Sequence, residues 1–575
     1  MVEKIAVILQ CLVIAGLFFT SAAIAVPDPP GDRLLLAGSI KNLQGKGIKE
    51  VEVEVLVNGR HAKPAGKEER IATGSQGLFR GEFQLPGGAL TAGRVEVQAH
   101  KPGWRTLSPA PVKLVDTGID SSGQRLFQGQ EQFTLERRIT PAFWIAALIL
   151  LGVYALLAAE LMHRTLAALL GASLLLFITY TLGTFDKSYF ILSFEDAMRA
   201  IDMNVIFLLM GMMIIVGVLK KTGLFQWLAY KSYALARGNV FVLAGILMAV
   251  TAVASAFLDN VTTMLLMVPV TIEIAITLKI NPMAFLVPEV FASNVGGTAT
   301  LIGDPPNILI GSYARLSFGD FVVNLTGIVA LCMVVTLIYF IFWYRQAYRQ
   351  AEVKDVARTI AFLREEYRIT DWKLLIYSLT LLAFTILLFI LHGLTHMEPS
   401  IAALMGAMLL LVVSRVDIVE MLEHEVEWTT LVFFIALFMV IAGAEETGLI
   451  QMIAEWVRDV SKGNLTVAVL MVLWVSAIAS AFIDNIPFTA TMLPIVAFLN
   501  QSIPGAESGV LWWALALGAC FGGNGTLIGA SANLVTVGMA EKAGYHISFL
   551  DYLKACFAPM LITVAISSIY LLIYY

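Results

Sequence analysis

Charged residues are scarce in this sequence. Asp, Glu, Lys and Arg make up 14% of its 575 residues, where a soluble domain carries about 25%. Hydrophobic residues make up 58%, and mean hydropathy is +0.80. That balance excludes an ordinary soluble domain. Cysteine is rarer still. Cys11, Cys332, Cys520 and Cys556 all lie in apolar segments without zinc-ligand spacing, and read as small core hydrophobes. No Walker sequence is present, which argues against ATP drive within this chain. The net charge of −5 offers no basic field for nucleic acid.

What the sequence has instead is long uncharged runs, such as 143–159, 166–182 and 374–391. About 20 apolar residues cross a bilayer as a helix. The expected fold class is an all-α polytopic membrane protein. Residues 1–25 hold one early basic residue, Lys4, then an apolar stretch ending in Ala23-Ile24-Ala25. They read as a signal peptide or an anchor helix. Residues 26–138 differ. Val51-Glu52-Val53-Glu54-Val55-Leu56-Val57 and Val95-Glu96-Val97-Gln98-Ala99 alternate with period two between Gly, Pro and Asn turns. This segment is expected to be a small extracytoplasmic β-sandwich, and its opening resembles transthyretin-like, carboxypeptidase-regulatory-type domains. It has no cysteine, and His61 and His100 read as surface residues rather than metal ligands.

The membrane region repeats itself. Ser255-Ala256-Phe257-Leu258-Asp259-Asn260 returns as Ser480-Ala481-Phe482-Ile483-Asp484-Asn485. Gly296-Gly297-Thr298-Ala299-Thr300-Leu301-Ile302-Gly303 returns as Gly522-Gly523-Asn524-Gly525-Thr526-Leu527-Ile528-Gly529, and Thr222-Gly223-Leu224 as Thr447-Gly448-Leu449. The offsets are nearly constant: 484 − 259 = 225, 529 − 303 = 226 and 447 − 222 = 225. The duplicated unit gives a first membrane repeat at 142–344, a cytoplasmic linker at 345–371 and a second repeat at 372–575.

Basic residues set the expected orientation. His163-Arg164, Lys220-Lys221, Lys231 and Arg237 should be cytoplasmic, as should the linker with Arg345, Arg349, Lys354, Arg358, Arg364 and Arg368. Both hold only if 240–278 is a re-entrant hairpin with its tip at Asp259-Asn260. Five crossings then separate the helix at 203 from its copy at 429, and an odd number inverts the copy. The second hairpin, 464–500, enters from the other side, so Asp484-Asn485 meets Asp259-Asn260 near the midplane. Paired broken segments of this kind mark a transporter's site.

A carboxylate in an apolar span costs several kcal/mol unless paired, solvated or cation-bound. Asp259, Asn260, Asp484 and Asn485 offer hard oxygen ligands for Na⁺ or a proton, so they are the candidate coupling sites. Helix N-capping by each Asp is an alternative role compatible with the first. Thr262 and Thr263 add hydroxyls in the first copy only, where the second has Pro487 and Phe488. The first hairpin and the broken spans supply the candidate substrate ligands. These are Thr262, Thr263, Asn294, Gly296, Gly297, Thr298, Asp304 and Asn307 from the first copy, and Gly523, Asn524, Thr526, Ser531 and Asn533 from the second. Glycines and prolines there release backbone polar groups, and half-helix N-termini favour an anion. Close packing through small residues is the competing explanation. Glu160 is expected to pair with His163 or Arg164. Glu289 is expected to lie behind the site or to join a structural ion pair.

These blocks identify a resemblance. The stretches 255–271, 294–307 and 522–533 resemble the ion transporter superfamily, its ArsB/NhaD group, and within it the P-protein type. The likeness covers about 142–575. It implies a citrate transporter-like domain, a homodimer, a scaffold and a moving transport domain in each protomer, and an elevator motion. The function expected is an ion-coupled secondary transporter of a small anion or inorganic ion, driven by Na⁺ or H⁺, in a bacterial inner membrane. Na⁺/H⁺ antiport is the alternative. An intramembrane aspartyl protease is a remote one, because neither Asp259 nor Asp304 follows Gly-x-Gly. No enzyme activity and no cofactor beyond the coupling ion are expected.

The orientation has a direct check. A cysteine placed near Arg349 should be labelled only from the cytoplasmic side, and one near Lys46 only from the opposite side. Labelling of both from one side would remove the basis for inversion.

Overall fold

A computed structural model describes residues 31–41, 47–48, 51–65, 71–74, 76–90, 94–101, 104, 106–119, 124–135, 139–352, 356–395 and 397–575. The expected signal or anchor segment, with Cys11, lies outside the described residues. The chain divides into two compact units, 1–139 and 140–575.

The first unit is built of strands: β1 Asp32–Lys41, β2 Glu52–Val57, β3 Arg60–His61, β4 Ile71–Ala72, β5 Leu78–Leu85, β6 Val95–His100, β7 Leu107–Pro111, β8 Leu114–Ile119 and β9 Arg125–Thr134. One sheet runs β5-β1-β9-β8, with β1 and β9 parallel. The other runs β3-β2-β6-β7, with β4 also on β2. The two alternating runs seen in the sequence are β2 and β6, paired antiparallel. Alternation turns Val53, Val55, Val95 and Val97 into a core shared with Leu34, Leu36 and Phe83 of the other sheet.

The second unit is helical. Among the described residues, ten helices are long and apolar enough to cross a membrane. Their outward faces carry exposed Leu148, Leu151, Phe177, Val334 and Ile338, apolar surface that lipid covers. The unit is an integral membrane protein. Helices Pro141–Ala158, Arg164–Tyr180, Met203–Lys220, Pro399–Ser414 and Trp428–Glu446 pack on one another.

Two helical hairpins follow the duplicated blocks. The first is Val240–Phe257 and Asn260–Thr277; the second is Leu465–Phe482 and Asn485–Ser502. Asn239 and Asn464 cap their entries. Pro269 and Pro494 interrupt the hydrogen-bond ladder of the returning arms at equivalent points. Two broken spans come next. Met283–Gly297 stops and resumes as Pro305–Ala314; Val510–Gly522 stops and resumes as Ser531–Lys542. The third repeated block proves to be a turn. Gly223 and Gly448 take left-handed φ of 77° and 83° and start helices Leu224–Ala236 and Leu449–Ser461. These two shorter helices were not among the expected spans, because their mixed polarity falls below a spanning signal.

In each half the broken span lies on the first arm of the hairpin, and glycine makes this possible. A Cβ on Gly296 would lie 2.3 Å from the Ala252 carbonyl oxygen. A Cβ on Gly522 would lie 2.3 Å from that of Ala477. Close packing by small residues is therefore real at these positions. Gly296→Ala and Gly522→Ala should each destabilise the purified protein by about 1–3 kcal/mol. Gly327→Ala, whose Cβ would meet nothing within 4 Å, should not. Thermal unfolding in detergent separates the three variants; equal midpoints would show that the contact is not tight.

Candidate functional site

The hairpin tips are made by their aspartates. Asp259 accepts from the Thr262 amide at 2.8 Å and from the Thr262 hydroxyl at 2.5 Å. Asp484 accepts from the Ile486 amide at 3.0 Å. Each carboxylate caps the returning arm, so the capping role expected from sequence is present at both tips. Thr263 is turned inward, its hydroxyl on the Asp259 carbonyl at 2.9 Å.

The tips converge on Asp304, which has no solvent exposure. Asn260 of the first tip donates to Asp304 Oδ1 at 3.2 Å. Asn485 of the second tip donates to its two oxygens at 3.3 and 3.4 Å. Asn260 also donates to Asn294 Oδ1 at 3.1 Å. The Asn294 amide reaches Asn524 and Asn533, each at 3.0 Å. Residues far apart in the chain thus form one buried amide and carboxylate network joining both halves. The donors satisfy a charge whose burial unpaired would be prohibitive.

The breaks are held by their own side chains. Asn307 Nδ2 donates to the carbonyls of Thr298 at 3.0 Å and Thr300 at 2.8 Å. Its counterpart Asn533 donates to those of Gly523 at 2.8 Å and Thr526 at 2.9 Å. Thr300 and Thr526 reach back to the carbonyls of Ala256 and Ala481 on the hairpins. Thr298 donates to the Asn294 carbonyl at 2.8 Å. A Cβ on Gly297 would sit 2.5 Å from the Gly303 carbonyl oxygen, so the loop closes only with glycine. Backbone freed from helix is thereby satisfied inside protein. Asn307, Asn533, Thr298 and Thr526 brace the loops that frame the site.

Two cavities open beside the tips. A small one, about 20 Å³, is lined by Asp259, Asn260, Asp304 and Asn485 together with Arg164, Glu427, Thr430 and Ser531. It has room for a single water. A larger one, about 350 Å³, is lined by Asp484, Ser531, Glu160, His163, Arg164 and Glu427 among apolar neighbours. Among the described residues, no group of three His, Cys, Asp or Glu side chains closes on a point that would hold a metal ion.

Arg164, Glu427 and Thr430 were not among the sequence candidates. Arg164 looked like a loop charge marking the cytoplasmic face. Glu427 had a signal: with Asp202 it forms another pair of carboxylates 225 residues apart (427 − 202 = 225), each immediately before a long helix. Glu160 lines the larger cavity with His163 and Arg164 but makes no ion pair within 4 Å among the described residues. Glu289 is fully buried and accepts from Thr271 at 3.0 Å, its other oxygen unpartnered. It lies behind the site and has no basic partner among the described residues.

Comparison with known proteins places this architecture. A model of a family described as citrate transporter matches residues 154–518. A Mycobacterium bovis protein named as an uncharacterized transporter is 41% identical over 433 residues, 75% of this chain and 98% of that one. A 46 kDa membrane protein of Mycobacterium leprae is 40% identical over 432 residues, with the same coverage. The P protein of Homo sapiens is 35% identical over 506 residues, 75% of this chain and 59% of that protein. Among solved structures, a 3-chlorocatechol 1,2-dioxygenase from Rhodococcus opacus 1CP overlaps 19% of this chain and 64% of its own. The overlap has 16% identity and a TM-score of 0.15, and carries no argument.

The shared acceptor has a measurable consequence. Asn260→Ala and Asn485→Ala should each cost about 1–3 kcal/mol, the penalty of under-satisfying a buried carboxylate. Because both act on Asp304, the double variant should depart from additivity by more than about 0.5 kcal/mol. A double-mutant cycle on detergent unfolding midpoints checks this; strict additivity would mean that the tips do not share the acceptor.

Proposed function

The chain belongs to the citrate transporter family, and on that premise we propose that it is an ion-coupled secondary active transporter of a small anion. Citrate, named in the family's description, is the first carboxylate to test. One observation carries the reading: both hairpin tips bind one buried carboxylate, Asp304, with Asp259 lining the same small cavity and Asp484 the larger one. An anion entering beside three carboxylates must bring compensating cations or protons. The tip aspartates supply oxygen ligands for Na⁺ or a proton carrier, and the braced half-helices supply N-termini for the anion. Coupling then follows from charge balance.

The mechanism we propose is an elevator. The hairpins and broken spans, held together through Asp304 and the glycine contacts, move as one body. They move against a scaffold that includes Pro141–Ala158, Arg164–Tyr180 and Trp428–Glu446. Meeting tips fit inverted repeats with re-entrant hairpins, and charge placement fits a bacterial inner membrane with an extracytoplasmic N-terminal unit. A homodimer would anchor the scaffold. Na⁺/H⁺ antiport remains the second reading, favoured by the carboxylate-rich inner cavity.

Purified protein in proteoliposomes, assayed with Na⁺ and pH gradients against chloride, citrate and other small carboxylates, tests the assignment. Asp259→Asn and Asp484→Asn should each abolish coupled transport while still inserting; wild-type flux with unchanged ion dependence in either would remove the ion-site assignment. The elevator is tested separately. Tyr154 of the scaffold donates to the Pro487 carbonyl at 2.9 Å. Cysteines replacing Tyr154 and Thr491 stand too far apart for a direct disulfide once the ring is removed; joined by a reducible bis-methanethiosulfonate cross-linker, they should stop flux, and reduction should restore it. Undiminished flux through the cross-linked protein would favour a fixed site with local gates.

A further inference from the structure

The two tips are not equivalent, and the difference lies in one arginine. Arg164, the first residue of its helix, points its guanidinium between two carboxylates. One nitrogen donates to Ser531 Oγ at 2.5 Å, and Ser531 donates to Asp484 Oδ2 at 2.8 Å. The other donates to Thr430 Oγ1 at 2.9 Å, and Thr430 donates to Glu427 Oε2 at 2.9 Å. Arg164 also lies 4.0 Å from Asp484 directly and stands 5.7 Å over the Phe433 ring. Each hydroxyl spends its single proton on the carboxylate and its lone pair on the arginine. A planar, permanently charged fork is suited to such a double bridge.

The first half has no such device. The position matching Ser531 is Pro305, and the position matching Thr430 is Val205, neither able to relay a hydrogen bond. Asp259 is held by Thr262 alone, and among the described residues no basic side chain pairs with it. Arg164 lines both cavities, so its guanidinium faces both spaces beside the tips.

We propose that Arg164 is a resident counter-ion for the second tip: it competes with the coupling cation for Asp484 and, while bound there, latches that tip to the Arg164–Tyr180 helix. The inference rests on the reading of Asp484 as a coupling site. A Na⁺ ion arriving at Asp484 weakens the attraction that holds the guanidinium, and the tip is freed to move with its cargo. In reverse, release of the cation lets Arg164 return. The arginine thus ties the position of the transport body to the occupancy of its ion site, which is the requirement for coupling rather than leak. Asp259, without a resident cation, is the tip that needs an external one.

The test uses the full-length purified protein and reads cation binding as a rise in unfolding temperature. NaCl is titrated against choline chloride at constant ionic strength and fixed pH. The other charged or titratable groups facing Arg164 are Glu160, His163 and Glu427, with Asp259 and Asp304 across the small cavity, so every variant is read against Asp484→Asn. Arg164→Gln should lower the Na⁺ midpoint about tenfold, the order expected for losing a charge about 4 Å away in a polar site. In the Asp484→Asn background the same substitution should not move the midpoint. Arg164→Lys should stay within about threefold of wild type, because the charge remains. If Arg164→Gln does not fold, Ser531→Ala should give a smaller shift in the same direction. An unchanged or weakened midpoint in Arg164→Gln, or an equal shift without Asp484, would overturn the counter-ion role while leaving the tip assignment standing. Wild-type protein that does not respond to Na⁺ would overturn both.

Discussion

A single buried carboxylate organises the centre of this protein. Asp304 lies without solvent exposure in an apolar surrounding, where an isolated charge is intolerable. Its donors are amides rather than cations, and they arrive from opposite halves of the chain. An amide cannot neutralise a charge; it can only solvate one. The site therefore stays electrically demanding while remaining geometrically fixed. The hairpins must turn at Asp-Asn so that the capping Asp points to its own helix and the Asn points inward. The broken spans must stop where they do so that Asp304 and Asn294 stand between the two tips.

The duplication also explains why there is one such carboxylate and not two. The position matching Asp304 in the second half is Ala530, and the one matching Asn294 is Cys520. Cys520 Sγ approaches Asn307 Oδ1 at 3.7 Å as Asn294 approaches Asn533. A second buried acid meeting the first would be repelled by it and held protonated. The halves keep the same bracing threonines and asparagines, and they have diverged where identical charges would collide.

Much of this was legible in the sequence because polar residues inside apolar runs are few and each must have a reason. The hairpin tips, both breaks and the meeting of Asp259-Asn260 with Asp484-Asn485 near one place follow from the repeat. The strands around Val51 and Val95 follow from alternation. What could not be read is which partner each polar group takes. Asn307 and Asn533 looked like ligands for cargo, yet their amides close their own loops. Arg164 looked like a topological marker, since nothing local ties it to Ser531, 367 residues away. The helices Leu224–Ala236 and Leu449–Ser461 were missed because the hydropathy that reveals a span hides a helix with two kinds of face.

The contacts of Gly296 on Ala252 and Gly522 on Ala477 carry a mechanical meaning. Backbone set against backbone leaves no side chain to change rotamer and no gap to absorb a slide. Each hairpin arm and its neighbouring half-helix therefore behave as the two limbs of a tuning fork, joined at the stem. The arm and the half-helix beside it are set in place together by that contact. These close backbone joints stand next to the hydrogen bonds that join the two tips.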